Sequence, residues 1–340
     1  MSGMVTARQR IIGIADATGV AQARRAVADL GTLLQFDDSA AGELALAVTE
    51  AGTNVFKHAR SGLIAARVIE RSGALGVEVL AIDKGPGMAN IAASMRDGHS
   101  TSGTPGGGLG ALARMTSGLE VWSRPGAGTM LRFEIWPKAA PEGAEALATG
   151  VITQPKSGEA VCGDGWTVVQ GRGRVVVLVV DGLGHGPDAA AAARAAVESV
   201  EKNAQREAAD IIDAVHNALR PTRGGAGAVA LVQPESELCV FCGIGNIAAS
   251  IRGGGGSRAM VSHNGTLGHQ VRKIQEFQYP FPKGSLLVMH SDGIATHWDL
   301  AAYPGIETRH PAFVSAALFR DHSRGRDDLT VLTMRNGARR

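Results

Sequence analysis

Glu50 and Asn54 stand four residues apart in the stretch AAGELALAVTEAGTNVFKHA, and Lys57 follows one turn later. On a helix, that spacing lines a carboxylate, an amide and an ammonium along one face, which alone describes an ordinary solvated face. Asp83 opens Asp-Lys-Gly-Pro-Gly87 at the end of an apolar run. Gly85 and Gly87 remove side chains and let a flat ligand approach the backbone, while the carboxylate accepts from an exocyclic amine. Further on, Gly106-Gly107-Gly108-Leu109-Gly110 leads into a helical pattern, where free backbone N–H groups suit phosphate oxygens. Each signal is weak alone. In this order, with Gly128-Thr129 after them, they outline a nucleotide pocket.

A second constellation is acidic. Asp164 lies in Val-Cys-Gly-Asp-Gly165, Asp181 in Val-Val-Asp-Gly-Leu-Gly-His-Gly186, Asp292 in His-Ser-Asp-Gly293, and Asp327-Asp328 precede Leu-Thr330. An isolated Asp-Gly is a turn signal, but most of these adjoin strongly apolar strands that would bring the carboxylates to one end of a buried sheet. Clustered carboxylates repel unless cations neutralise them, and hard oxygen donors suit Mg²⁺ or Mn²⁺. A two-metal hydrolytic site is the natural inference. His185 follows a glycine turn, where it either donates a proton to a leaving oxygen or stabilises the turn. Cys239 and Cys242 form a CxxC, yet in a strand that spacing puts them on opposite faces, which argues against a zinc or redox pair.

The elements that position these residues are legible from periodicity. The pattern predicts a strand over 10–14, helices over 20–34 and 39–59, strands over 63–70 and 75–82, a glycine-rich loop over 83–108, a helix over 109–116 and a hairpin of 119–124 with 130–136. The run KAAPEGAEALATG reads as a linker over 139–150. Beyond it come strands at 151–154, 166–170 and 175–180, the last an apolar run suited to burial on both faces. Helices over 188–203 and 208–219 follow, then strands at 228–232, 238–242, 247–251 and 286–290, a helix over 311–319 and a strand over 329–334. RGGGGS at 252–257 reads as a flexible loop.

Composition narrows the class. The chain has 340 residues, 44% hydrophobic and 19% charged, enough for two buried cores and against disorder throughout. With 34 basic and 32 acidic residues the net charge is +2, so no nucleic-acid partner is expected. Three cysteines make no disulfide framework, and no apolar run is long enough to span a membrane. The start MSGMVTARQR lacks an apolar signal core, so the expected location is cytoplasmic.

Residues 8–137 resemble the GHKL, or Bergerat-fold, ATP-binding family, with Glu50–Asn54 as the N box, Asp83–Gly87 as G1 and Gly106–Gly110 as G2. Thr49-Glu-Ala-Gly-Thr-Asn-Val55 and Ser123-Arg-Pro-Gly-Ala-Gly-Thr129 are similar to its small RsbT-like switch kinases, which act on STAS-domain proteins. The resemblance implies ATP with Mg²⁺: Asp83 on the adenine amine beside Gly85 and Gly87, Asn54 on Mg²⁺, Gly106, Gly107, Gly108, Leu109 and Gly110 around the phosphates, and Thr129 near the base. Glu50 would be the general base toward a Ser or Thr hydroxyl. Related anti-sigma kinases often carry an arginine where Gly106 stands, so Lys57, Arg114 or the partner would meet transition-state charge. Residues 88–105 would form a lid, and His58 would cap the end of its helix.

Residues 152–336 resemble the PPM-type, protein phosphatase 2C-like family, in its SpoIIE/RsbX-like branch. By that resemblance Asp181 bridges two Mn²⁺ or Mg²⁺ ions, Asp164 and the Gly182 carbonyl hold one side, and Asp292 with Asp327 hold the other. Asp328 ranks behind Asp327, because the family often has Asn there. Phosphoserine or phosphothreonine would be hydrolysed by water with no protein nucleophile. The implied fold is a two-domain α/β (α+β) chain: a Bergerat-type α/β sandwich over 1–138, a linker, and a PPM-type α/β/β/α sandwich over 151–340. The expected function is a bifunctional kinase and phosphatase acting on STAS-domain regulators of a stress-response or sigma-factor partner-switching pathway. An ATP-gated anti-sigma-factor module reset by the phosphatase is the alternative, and a nucleotide sensor controlling the phosphatase is a third.

Overall fold

Asp16 accepts from the Gly19 N–H and Asp37 from the Ala40 N–H, each at 2.8 Å, so an aspartate caps each of the helices that follow. These are α1 (Ala17–Leu33) and α2 (Asp38–Ala59). The structure, a computed structural model, describes residues 9–95, 108–141 and 147–337. The chain divides into two units, 2–143 and 144–340.

In the first unit, β1 (Gln9–Ile14), β2 (Gly62–Arg71), β3 (Ala74–Asp83), β4 (Ser117–Ser123) and β5 (Thr129–Ile135) form an antiparallel sheet in the order β1-β2-β3-β5-β4. Strand alternation splits β3: Val77, Val79 and Ala81 join Val27, Leu30, Leu44, Val48 and Val55 of the helices in one core. Glu78 lies on the other face in a buried ion ladder. It accepts from Arg67 Nε and Arg132 Nε at 2.6 Å each, and Arg132 also reaches Glu134. Burial alone would weaken the Arg132 cation, but Glu78 and Glu134 outweigh it and raise its pKa. Two short helices, α3 (Ile91–Ser94) and α4 (Leu109–Met115), complete the unit.

The second unit is a sandwich of two antiparallel sheets. One has the order β13-β10-β9-β8-β7 and the other β12-β11-β14-β15-β6, from β6 (Leu147–Gln154), β7 (Asp164–Gly171), β8 (Arg174–Gly182), β9 (Gly225–Gln233), β10 (Leu238–Ile244), β11 (Ala248–Gly253), β12 (Gly256–Ala259), β13 (Phe277–Pro280), β14 (Leu286–His290) and β15 (Leu329–Asn336). Val177 and Val179 meet Leu287, Met289 and Leu332 between the sheets. Val176, Leu178 and Val180 face the helices α5 (Pro187–Asn203) and α6 (Ala208–Leu219) instead. The apolar run at 175–180 is thus buried on both faces. The helix α7 (Ala312–His322) covers the second sheet, where Ser315 bonds the Gly150 carbonyl at 3.0 Å.

Three expectations change. β6 begins at Leu147, so four residues read as linker belong to the sheet, paired from Leu147↔Asn336 to Gly150↔Thr333. Arg252–Ser257 is a hairpin turn, not a free loop: Arg252 pairs with Ser257 and Gly253 with Gly256, because left-handed Gly254 and Gly255 close it. β13 was not expected, since FQYP is too short to show a period. Among the described residues no helix is long and apolar enough to cross a membrane.

Candidate functional site

β3 ends at Asp83, which is buried, and its Oδ1 accepts from the Gly85 N–H at 2.8 Å and the Thr129 N–H at 3.1 Å. One carboxylate oxygen therefore fixes both the 83–87 loop and the start of β5. Gly87 has φ +69°, and a Cβ there would run into the Arg124 carbonyl oxygen, so glycine is required by conformation and by space. Ser123 Oγ ties the same region, bonding Thr129 Oγ1 at 2.9 Å and accepting from the Met88 N–H at 2.8 Å. Gly85 lies against Ala59, at the end of the helix that carries Glu50 and Asn54, both half-buried. Lys57 and His58 occupy its exposed last turn. Gly108, at φ +142°, precedes α4 with no side-chain cap, so Gly108, Leu109 and Gly110 open that helix with backbone alone. Gly106 and Gly107, with 96–105 of the expected lid, lie outside the described residues.

In the second unit, Asp164 pairs directly with Asp181 at the ends of β7 and β8. Asp292 follows β14, and Asp327-Asp328 precede β15 in the other sheet. Ser291 Oγ spans the two sheets, donating to Asp164 Oδ2 at 2.6 Å. The carboxylates feel one another. Burial first, then Asp292, Asp327 and Asp328, push Asp181 from 3.8 up to about 7. Burial and then Asp181 hold Asp164 well above the usual carboxylate range, and burial with Asp327 raises Asp292. Asp164 Oδ1 and Asp328 Oδ2 are buried with no hydrogen-bond partner. Unspent oxygens among mutually repelling carboxylates fit a divalent cation. Among the described residues no three acidic, His or Cys side chains close around a single point, so oxygens other than carboxylates would have to fill part of an ion's shell.

Several contacts near this site carry no signal in the sequence. Asp328 is buried and accepts from the Lys156 N–H at 2.9 Å, whereas Asp327 is exposed. Asn246 donates to Asp292 Oδ2 at 2.9 Å, and Glu159 meets His185 Nδ1 at 2.5 Å. These partners come from distant segments and carry no local pattern. Cys239 lies between the sheets and Cys242 under the helices, so the CxxC is divided as its spacing requires.

Residues 14–135 match the family model of the histidine kinase-like ATPase domain, and residues 171–336 that of stage II sporulation protein E, SpoIIE. Over 90 residues the chain is 33% identical to serine/threonine-protein kinase RsbT of Bacillus subtilis (strain 168), spanning 26% of this chain and 68% of that relative. The chain belongs to the RsbT family. Beyond its RsbT-like domain, homologous to a serine/threonine-protein kinase, it carries a SpoIIE domain. A solved structure from work on the bacterial stressosome, described as a modular system adapted to control secondary messenger signalling, is 30% identical. It covers 56% of this chain and 100% of its own, with a TM-score of 0.53. RsbX in complex with magnesium is 24% identical over 57% of this chain and 97% of its own, with a TM-score of 0.52, a likeness of fold.

Proposed function

We propose that this RsbT-family chain is a bifunctional switch enzyme that phosphorylates and dephosphorylates serine or threonine in STAS-domain regulators of a partner-switching pathway. The observation that carries the reading is the carboxylate cluster, where five aspartates from two sheets share one electrostatic field and two of their oxygens are unspent. Asp164, Asp181, Asp292 and Asp327, with the Gly182 carbonyl, would hold two Mn²⁺ or Mg²⁺ ions, and Asp328 stands ready behind Asp164. The ions supply neutralisation of the phosphoryl charge and activation of water at neutral pH. The aspartates keep that centre in place, and Ser291 and Asn246 orient two of them through the bonds to Asp164 and Asp292.

In the first unit, ATP is the substrate. Asp83, held by the Gly85 and Thr129 N–H groups, would receive the adenine amine. Thr129 closes that side, and Gly106 to Gly110 receive the phosphates. Asn54 would hold Mg²⁺, and Glu50, one turn before it, takes the proton of the incoming hydroxyl as the phosphoryl group arrives.

The full chain incubated with [γ-³²P]ATP and STAS-domain proteins, then supplied with Mn²⁺, tests this. Label should enter the STAS protein and leave it when Mn²⁺ is added, and Glu50→Ala should block entry while ATP still binds. Stoichiometric capture of a sigma factor without label transfer would replace the kinase with a binding module. Regulation preserved in Glu50→Ala would make it a nucleotide sensor.

A further inference from the structure

The two sides of the carboxylate cluster carry different surfaces. Beside β7 and β8, Glu159 meets His185 and Arg223 pairs with Asp188, each at 2.5 Å, so these ionisable groups are taken up in pairs. What is left open there is aliphatic: Val161 is 38% and Leu183 48% exposed. The Gly182 N–H donates to the Gly163 carbonyl at 3.1 Å, and this bond and the Glu159–His185 contact bracket Val161 and Leu183 between two crossings of one gap. The Leu183 N–H is also held by the Gly224 carbonyl at 3.0 Å. A pinned backbone thus keeps an apolar side chain in water, a surface that gains when something covers it. The other side, the loop between α7 and β15, is basic. The Arg324 N–H donates to the Gly293 carbonyl at 2.9 Å and the Ala295 N–H to the His322 carbonyl at 2.8 Å, which ties this loop to the one that follows Asp292. Gly325, at φ +66°, turns the chain between Arg324 and Arg326. Both arginines are exposed, and neither has an ion-pair partner among the described residues. Arg324 acts on the cluster itself: burial and Asp327 raise Asp292, and Arg324 is the foremost group opposing them. Arg326 directly precedes Asp327.

We propose that this rim selects the substrate: a phosphoserine or phosphothreonine in an extended segment, with an acidic neighbour held by Arg324 and Arg326 and an aliphatic neighbour covering Val161 and Leu183. This rests on the phosphatase reading above and adds to it the sequence around the phosphoryl group. Asp164 and Asp181 come from one sheet and Asp292 and Asp327 adjoin strands of the other, so a residue lowered onto the cluster lies between the two walls. In extended chain the residues before and after it stand about 7 Å apart, one toward each wall. A basic neighbour on the side of Arg324 and Arg326 meets two like charges, whereas an acidic one meets two opposite ones. On the other wall an acidic neighbour finds charges already matched, and an aliphatic one removes apolar surface from water together with its own. The aspartates do not set the sign of this preference, because bound cations would neutralise them. Exposed ion pairs are individually weak and screened by salt, so selection comes from the two walls acting together.

The test compares wild type, Arg326→Glu and Val161→Ser, as full-length chains with Mn²⁺. The substrates are glycine-flanked peptides containing Asp-pSer-Leu or Leu-pSer-Asp, their versions with Lys for Asp or Ser for Leu, and p-nitrophenyl phosphate, which has no neighbouring residues to place on either wall. In at least one order of the two neighbours, wild type should favour Asp over Lys by about 10-fold in kcat/KM, carried by KM, and the ratio should shrink in about 0.5 M NaCl. Arg326→Glu should erase or invert that ratio. Val161→Ser should lower kcat/KM about threefold on the Leu peptides and leave the Ser peptides unchanged. Both variants should hold p-nitrophenyl phosphate turnover. No preference between Asp and Lys in either order, a ratio that salt leaves intact, a Leu preference that survives Val161→Ser, or equal losses on peptides and p-nitrophenyl phosphate would overturn the rim while leaving the phosphatase standing. A wild type with no Mn²⁺-dependent hydrolysis of any substrate would remove the phosphatase and the rim together.

Discussion

Replacing Asp181 with Asn should make the metal-free protein more stable at pH 8 while abolishing the proposed phosphatase activity. Burial and three neighbouring aspartates lift Asp181 from 3.8 to about 7 in the folded chain. Between those values the native state binds more protons than the unfolded one, so stability is highest on the acid side and falls as pH rises toward 7. At about 1.4 kcal/mol per tenfold displacement, the ceiling from this one group is about 4 kcal/mol, and for this half-buried side chain solvent screening brings the working range to about 2–4 kcal/mol. Only the part lost above pH 5.5, about 1–2 kcal/mol, falls between pH 5.5 and 8, which in a domain the size of residues 144–340 is a drop in Tm of about 2–8 °C. Mn²⁺ at about 100 times its Kd should return about 2.7 kcal/mol. The assay is scanning calorimetry of the full chain with chelator or Mn²⁺ across that interval. The ten histidines are common to both proteins, so the quantity read is the wild-type slope minus that of Asp181→Asn. Identical slopes, or a mutant that keeps its Mn²⁺-induced gain in Tm, would refute the argument that repulsion is stored here for a cation to relieve.

Asp83→Ala leaves the Gly85 and Thr129 N–H groups without their acceptor; a loss of about 1–3 kcal/mol in urea unfolding and of at least tenfold in ATP affinity by calorimetry is expected. Glu78→Ala removes the buried carboxylate that Arg67 and Arg132 share and should cost about 3–5 kcal/mol, read as a lower denaturation midpoint of the first unit. Cys239 and Cys242 are buried and pushed up to about 12, so neither should be alkylated by iodoacetamide at pH 8 in the native protein, while both react in guanidinium, as mass spectrometry would show.

The aspartates of the second unit were visible in the sequence because most of them adjoin the start or the end of a strongly apolar strand, and apolar runs such as 175–180 are hard to mistake. The helix of Glu50 and Asn54 was equally plain, since Asp37 and a 3.6-residue period announce it. The partners of those groups were not. Glu159 lies 26 residues from His185, Asn246 lies 46 from Asp292, and Ser291 lies 127 from Asp164, and nothing local ties such pairs together until the sheets close. The depth of Asp328 escaped notice for the same reason, because Lys156, which fixes it, arrives from β6. The hairpin at 252–257 was read as loose because four glycines show no side-chain pattern, although two of them supply the left-handed turn.

β15 sits between β14 and β6 in its sheet and brings Asp327 and Asp328 with it, whereas the first unit has all five of its strands by Ile135. During synthesis the nucleotide half can thus finish folding nearly two hundred residues before the acidic centre has its full set of ligands. Under the proposed function, a nascent chain would gain the capacity to add a phosphoryl group before the capacity to take one away. Stalled or clipped products would then err toward phosphorylation, a directional fault written into strand order rather than into any one residue.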